Sequence, residues 1–202
     1  MNIINSSADV VLADVMTQAR ACCVCASDLP HQPRPVLRGR ASARLLIVGQ
    51  APGARVHKSG IPWDDPSGDR LRQWLGFDQQ TFYDEGLIAI VPIGLCFPGV
   101  ALRGGDRPPR SECAPLWHPR LRGVLTNIKL TLLIGLHAHI FYLGARREKT
   151  MSGTVRDGKK YLPEFMPLPH PSWRNNHWLK NNLWFEKETL PLLRDRCRSV
   201  IS

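Results

Sequence analysis

Long apolar runs are missing from this chain. No uninterrupted hydrophobic stretch approaches the roughly 20 residues that a membrane-spanning helix requires, and Met1-Asn2-Ile3-Ile4-Asn5-Ser6-Ser7 has neither the basic nor the hydrophobic region of a secretory signal. A cytoplasmic protein with no membrane association is expected. Acidic residues are also in short supply, with 17 Asp and Glu against 27 Lys and Arg, for a net charge of +10. That imbalance favours a polyanionic partner, nucleic acid first among them. Internal repeats, low-complexity tracts and a break in composition are absent as well, so one domain is expected over residues 1–202. Within it, residues 1–43 would form an N-terminal helix and a cysteine-containing strap, and residues 44–202 an α/β core.

What is present suffices for a substantial core: 202 residues, 43% of them hydrophobic. Six cysteines in a reducing compartment argue for thiols or metal ligands over disulfides. The chain is organised around Leu45-Leu46-Ile47-Val48, an apolar run suited to a strand covered on both faces, which stops at Gly49. Gly49, Pro52 and Gly53 then permit a turn in which backbone approaches a ligand, and Gln50 offers an amide.

Helical spacing of Val11, Leu12, Val15, Met16 and Ala19 predicts a helix over residues 9–20. Pro30, Pro33 and Pro35 make the following segment an extended strap. Ser67 is read as the cap of a short helix through Leu71, Trp74 and Leu75 that Gly76 ends. Residues 87–91 and Leu130–Ile134 are the second and third strands, separated by a Gly/Pro-rich loop over residues 92–109 and a helical segment ending near Asn127. A helix over Leu136–Leu143, a basic loop, a fourth strand at Phe165–Leu168 and a closing helix over residues 179–196, kinked or broken at Pro191, complete the chain. Alternating strands and helices predict a three-layer α/β/α fold around a central, four-stranded, mostly parallel sheet, with ligands bound beyond the carboxyl ends of the strands.

Four motifs occupy those ends. Gly49-Gln50-Ala51-Pro52-Gly53, then Gly60-Ile61-Pro62-Trp63 with Gly68 and Leu71, then Leu132-Leu133-Ile134-Gly135, and finally His170-Pro171-Ser172 resemble, in order and spacing, the motifs of the uracil-DNA glycosylase superfamily. The resemblance spans nearly the whole chain. It is nearest to the iron-sulfur-containing bacterial and archaeal branch, whose first motif reads Gly-Glu-Ala-Pro-Gly and whose last begins His-Pro-Ser. A uracil-DNA glycosylase-like domain acting on DNA that contains uracil or another deaminated base is thereby implied, and a monomer is expected.

The resemblance also implies roles. His170 would donate a hydrogen bond to a carbonyl oxygen of the departing base, assisted by the Gln50 and Ala51 amides, with Gly49, Pro52, Gly53, Asp64 and Ser172 around the substrate. Trp63 stands where that branch has a phenylalanine platform for the flipped base; its alternative role is to pin a loop to the core. Trp173 lies where relatives insert a side chain into the base stack, and Arg174 is placed to pair with a phosphate. Cys22 and Cys25, as C-x2-C, with Cys96 and Cys113, match the ligand arrangement of a [4Fe-4S] cluster, although four thiolates hold a structural zinc equally well. His118 is read either as a zinc ligand replacing one thiolate or as a helix-surface histidine, and His137 and His139 as structural.

Two departures matter. The best-known branch carries an aspartate in the first motif where this chain has Ala51, so water activation falls to Asp65, to its neighbour Asp64 or to Gln50; the plain alternative is that the two aspartates cap a helix. Relatives also carry an asparagine after the second strand to read the uracil edge, where this chain has Val91-Pro92-Ile93-Gly94. Proline has no side-chain donor, which loosens base discrimination. Basic residues cluster around the cysteine loop (Arg103, Arg107, Arg110, Arg120, Arg122) and before the fourth strand (Arg146, Arg147, Lys149, Arg156, Lys159, Lys160), as DNA contacts or as a solvated surface. Two other functions remain open: a metal-containing DNA-binding module of weak or lost activity, and a hydrolase of free nucleosides or nucleotides.

Overall fold

In a computed structural model describing residues 7–102 and 104–202, the chain runs α1 (Ser7–Arg20), β1 (Leu45–Val48), α2 (Ala54–Ser59), α3 (Pro66–Leu75), α4 (Gln79–Phe82), β2 (Ile88–Ile90), α5 (Cys113–Val124), β3 (Leu130–Ile134), α6 (Leu136–Leu143), α7 (Met151–Arg156), β4 (Phe165–Leu168), α8 (Asn176–Asn181) and α9 (Leu190–Ile201). Residues 1–6, which make up most of the stretch read for a secretory signal, and Arg103 of the basic loop lie outside the described residues.

The strands pair in the order β2-β1-β3-β4, all parallel, with Leu45 opposite both Ile88 and Leu130, and Thr131 opposite Phe165. Side chains alternate along a strand, so β1 feeds two cores. Leu46 and Val48 pack with α1, α5 and α6, whereas Leu45 and Ile47 pack with α3 and α9 on the other face. Every residue of β1, β3 and β4 is buried, and burying one large aliphatic side chain stabilises by about 1.5–3 kcal/mol. This is the three-layer α/β/α arrangement around a four-stranded sheet. Among the described residues no helix is long and apolar enough to cross a membrane.

Several elements differ from expectation. The cap of α3 is Asp65, whose Oδ1 accepts from Gly68 N at 2.8 Å, with Pro66 in the first turn; Ser67 lies inside the helix. Helix α2 was not anticipated, because only Val56 of its six residues is buried and no apolar stripe marks it. The basic loop before β4 contains α7, capped by Thr150 through Gly153 N. The expected closing helix is divided into α8, a π-helical turn over Phe185–Thr189, and α9, in which Pro191 sits in the first turn, where a missing N–H loses no intrahelical bond.

Candidate active site

The loops leaving the carboxyl ends of β1, β2 and β4 surround a cavity of about 150 Å³. Gly49, Gln50, Ala51, Pro52 and Gly53 line it from the first loop, Trp63, Asp65 and Ser67 from the approach to α3, Pro92 from the second loop, and His170 and Ser172 from the last. Backbone pairing continues past the strand ends, with Ile93 N donating to Gly49 O and Gly94 N to Gln50 O, both at 2.9 Å. These bonds fix the first loop against the second. No backbone carbonyl among the described residues accepts from the Gln50 or Ala51 amide, leaving both N–H groups available to a ligand.

Trp63 forms one wall. Its backbone is left-handed, at φ 60°, which a bulky residue adopts only when its surroundings compel it. Tyr83 Oη donates to Pro62 O at 3.0 Å, and the Trp63 carbonyl lies so close over α3 that a Cβ on Gly68 would stand 1.8 Å from its oxygen. Across the cavity, a Cβ on Gly49 would come within 2.7 Å of Trp63 Cζ2. The two glycines therefore admit the indole, whose ring centroid is 5.6 Å from that of His170 at an interplanar angle of 34°.

His170 is held by its own loop. Its carbonyl accepts from Asn175 Nδ2 at 2.7 Å, and Arg70 of α3 braces the segment through Ser172 O at 3.2 Å and Asn176 Oδ1 at 2.8 Å. Ser172 N donates to His170 Nδ1 at 3.2 Å, so in the neutral ring the proton resides on Nε2. Burial pushes the His170 pKa below its ordinary value, the Asp65 charge acting in the opposite sense. The side chain is thus a neutral donor in the wall of the cavity that residues 49–53 also line.

Asp65 caps α3, as the plainer of the two readings expected, and also lines the cavity. Asp64 does not line it, and acts electrostatically on the Tyr83 hydroxyl. Asp106 does line it, and sequence reading missed it; burial and the charge of Asp65 raise its pKa, with Arg174 opposing. A lone acidic residue in a Gly/Pro-rich loop gives no periodic or motif signal. Trp173 and Arg174 lie outside the cavity, Trp173 with 70% of its surface exposed and Arg174 with its guanidinium against Gly105.

Pro92 presents no side-chain donor to the cavity, and its carbonyl accepts from His118 Nε2 at 3.0 Å. His118, expected on a helix surface or as a zinc ligand, is instead 2% exposed, and its Nδ1 accepts from Tyr142 Oη at 2.7 Å. Phe141 and Tyr142 of α6 cover it. His139 is buried with its Nε2 against Leu133 O and Leu168 O, in keeping with a structural role. Part of the basic surface is engaged internally: Arg122 donates to Thr131 Oγ1 at 2.9 Å, Arg146 and Arg156 lie over Phe165 and Trp184, and Lys160 pairs with Glu148.

A second cavity brings together Cys22 and Cys25 of the strap, Cys96 after β2 and Cys113 at the start of α5, with Leu29, Arg110 and Trp117 around them. Burial pushes the Cys113 thiol up to about 12 and the Cys96 thiol up to about 11, and neighbouring thiols push in the same direction. Leu95 N donates to Cys113 Sγ at 3.3 Å. Four soft donors that repel one another as thiolates suit a soft cationic group, which holds them deprotonated. Among the described residues, however, no group of three or more His, Cys, Asp or Glu side chains could hold a metal ion as placed. Cys23 is exposed and Cys197 is buried, outside this cavity.

The fold and site together are a parallel α/β sheet whose carboxyl edge carries a small cavity with an indole wall and a neutral histidine. The family model described as the uracil DNA glycosylase superfamily matches residues 37–194, and the chain belongs to that superfamily. Among solved structures it is similar to the solution NMR structure of a Methanosarcina acetivorans protein provisionally named a uracil DNA glycosylase, at 17% identity and a TM-score of 0.48, over 80% of this chain and 98% of that one.

Proposed function

We propose that this protein hydrolyses the N-glycosidic bond of uracil, or of a related deaminated base, in a nucleotide extruded from DNA. Superfamily membership supports the reaction class. The observation that carries the reading is the single cavity shared by residues 49–53 and His170, which are remote in the chain. Cleavage moves negative charge onto the base and positive charge onto the sugar, so the site must stabilise the departing anion. His170 Nε2–H donates to a carbonyl oxygen of the base, the Gln50 and Ala51 amides add donors, and Trp63 gives the base a face on which to stack. Being neutral, His170 stabilises charge without needing to transfer its own proton. A carboxylate at the cavity orients the attacking water and offsets the developing oxocarbenium charge. Asp65 is the candidate carboxylate that the motifs supply, and the Gln50 amide is a second group able to position the water.

The donor chemistry of Cys22, Cys25, Cys96 and Cys113 fits a [4Fe-4S] cluster, which we assign to that cavity as an ordering element for the strap and the loop after β2. Four thiols lining one cavity suit a cluster or a structural zinc by donor type, and the resemblance of the cysteine arrangement to the iron-sulfur branch is what favours the cluster. The cluster supplies structural order and electrostatic bias, and no step of the hydrolysis runs through it.

A second reading, a DNA-binding module without turnover, is favoured by Ala51 and Pro92, both in the cavity wall and both lacking the polar side chain found in better-known relatives. Duplex and single-stranded oligonucleotides bearing uracil, hypoxanthine or xanthine, incubated with the protein and then treated with alkali, separate the two. Strand scission lost in His170→Ala is the expected result. Tight binding with no scission of any substrate overturns the enzymatic reading.

A further inference from the structure

A nucleotide whose base fills the cavity keeps its sugar at the mouth, because the sugar remains tied to the strand outside. Groups deep in the cavity meet the base, and groups at the rim meet C1′. Asp106 is a rim residue, exposed at its outer side yet lining the cavity. It is held there by a closed hairpin: Val100 and Asp106 form an antiparallel bridge, Arg107 N donates to Gly99 O at 2.8 Å, and Ala101 N to Gly105 O at 2.8 Å. A Cβ on Gly53 would stand 3.3 Å from Asp106 Oδ2, so the carboxylate rests against the first motif.

Its two acidic alternatives are less free. Asp65 has one carboxylate oxygen committed to Gly68 N as the cap of α3, which leaves that oxygen less free to take up a water. Asp64 does not line the cavity. Asp106 accepts no side-chain hydrogen bond from any described residue, and its charged neighbours are Asp65 and Arg174.

We infer that Asp106 is the catalytic base that takes the proton from the attacking water, an assignment that rests on the glycosylase reading. The C1′–N bond breaks and its electron pair leaves with the base, which His170 Nε2–H holds. The water oxygen bonds to C1′, its proton passes to the Asp106 carboxylate, and Asp106 returns that proton to solvent. Burial and the repulsion of Asp65 both raise the basicity of Asp106 above that of an ordinary carboxylate, which suits the task.

The test is single-turnover excision from a uracil-containing oligonucleotide by wild type, Asp106→Asn, Asp65→Asn and His170→Ala over about pH 4.5 to 9, with DNA binding followed by fluorescence anisotropy. Asp106→Asn keeps the shape of the side chain, and Asn also caps helices, so both variants should fold. Expected for Asp106→Asn is a rate lower by roughly 10²–10⁴-fold, loss of the acidic limb of the pH profile, and unchanged binding. An active wild type whose Asp106→Asn variant keeps its rate within about threefold, or whose acidic limb vanishes only in Asp65→Asn, overturns the role of Asp106 alone. A wild type inactive on every oligonucleotide overturns the glycosylase reading and the role of Asp106 together.

Discussion

Gly49→Ala tests the geometry of the cavity directly. The added methyl would stand 2.7 Å from Trp63 Cζ2, 3.4 Å from Cη2 and 3.5 Å from Cε2, where carbon pairs prefer about 3.5–4.0 Å. The indole must therefore retreat by roughly 1 Å, yet its backbone is fixed in a left-handed turn with the carbonyl seated over Gly68. The displacement is passed to the neighbouring His170 ring. Overpacking of this kind costs about 1–3 kcal/mol, which for a domain of this size lowers Tm by roughly 2–4 °C per kcal/mol. Trp63→Phe removes the far end of the ring that the methyl meets, so the double variant should recover about 0.5–3 kcal/mol relative to the sum of the two single changes. Denaturant unfolding of the four proteins measures that coupling, and excision of uracil from an oligonucleotide measures the misplacement of His170, expected to slow the reaction by roughly 10²-fold. A Gly49→Ala protein within about 0.5 kcal/mol of wild type, showing no coupling to Trp63 and full activity, would refute the placement of the indole across the first motif.

His118 should make stability depend on pH. Its folded-state pKa is lowered to about 4 by burial, below its ordinary value of about 6.5. The unfolded chain therefore takes up a proton that the native one refuses, stability is present above about pH 6.5 and is lost as pH falls toward 4, by about 2 kcal/mol between pH 7 and pH 5; urea midpoints of wild type and His118→Asn, the latter with the shallower slope, check this. Cys96→Ser or Cys113→Ser should remove iron and an absorbance shoulder near roughly 400 nm, and iron content unchanged in both variants would contradict the cluster. Trp173→Ala, at a site 70% exposed, should change unfolding free energy by less than about 0.5 kcal/mol while weakening binding to duplex DNA; equal duplex affinity would contradict its role as a wedge.

Local pattern was a good guide where one physical requirement dominates. β1, β3 and β4 are buried on both faces, which forces continuous apolar runs that cannot be hidden, and their limits matched residue for residue. The loop at residues 49–53 and the His170 segment were legible through their resemblance to the superfamily motifs, and the fold brings both to the lining of one cavity. Local pattern leaves the cap of α3 open between Ser67 and the two aspartates, since all satisfy a capping rule, and the folded chain settles it on Asp65. Helices α2 and α7 bury too little apolar surface to leave a stripe.

Burial of polar groups was the least legible feature. His118 reads as a helix-surface residue or a metal ligand until Tyr142 of α6 covers it and donates to its Nδ1. Asp106 carries no signature along the chain, because its significance lies in standing against Gly53, Asp65 and Arg174, which come from three separate loops. The amino-acid order alone determined the strands, the layers and which loops stand at the carboxyl ends of the strands, since hydrophobic period and backbone permissiveness act over a few neighbours. Only the folded chain decided which side chains share the cavity and in what protonation state, because charge, desolvation and contact act through space between residues whose separation in sequence says nothing of their distance.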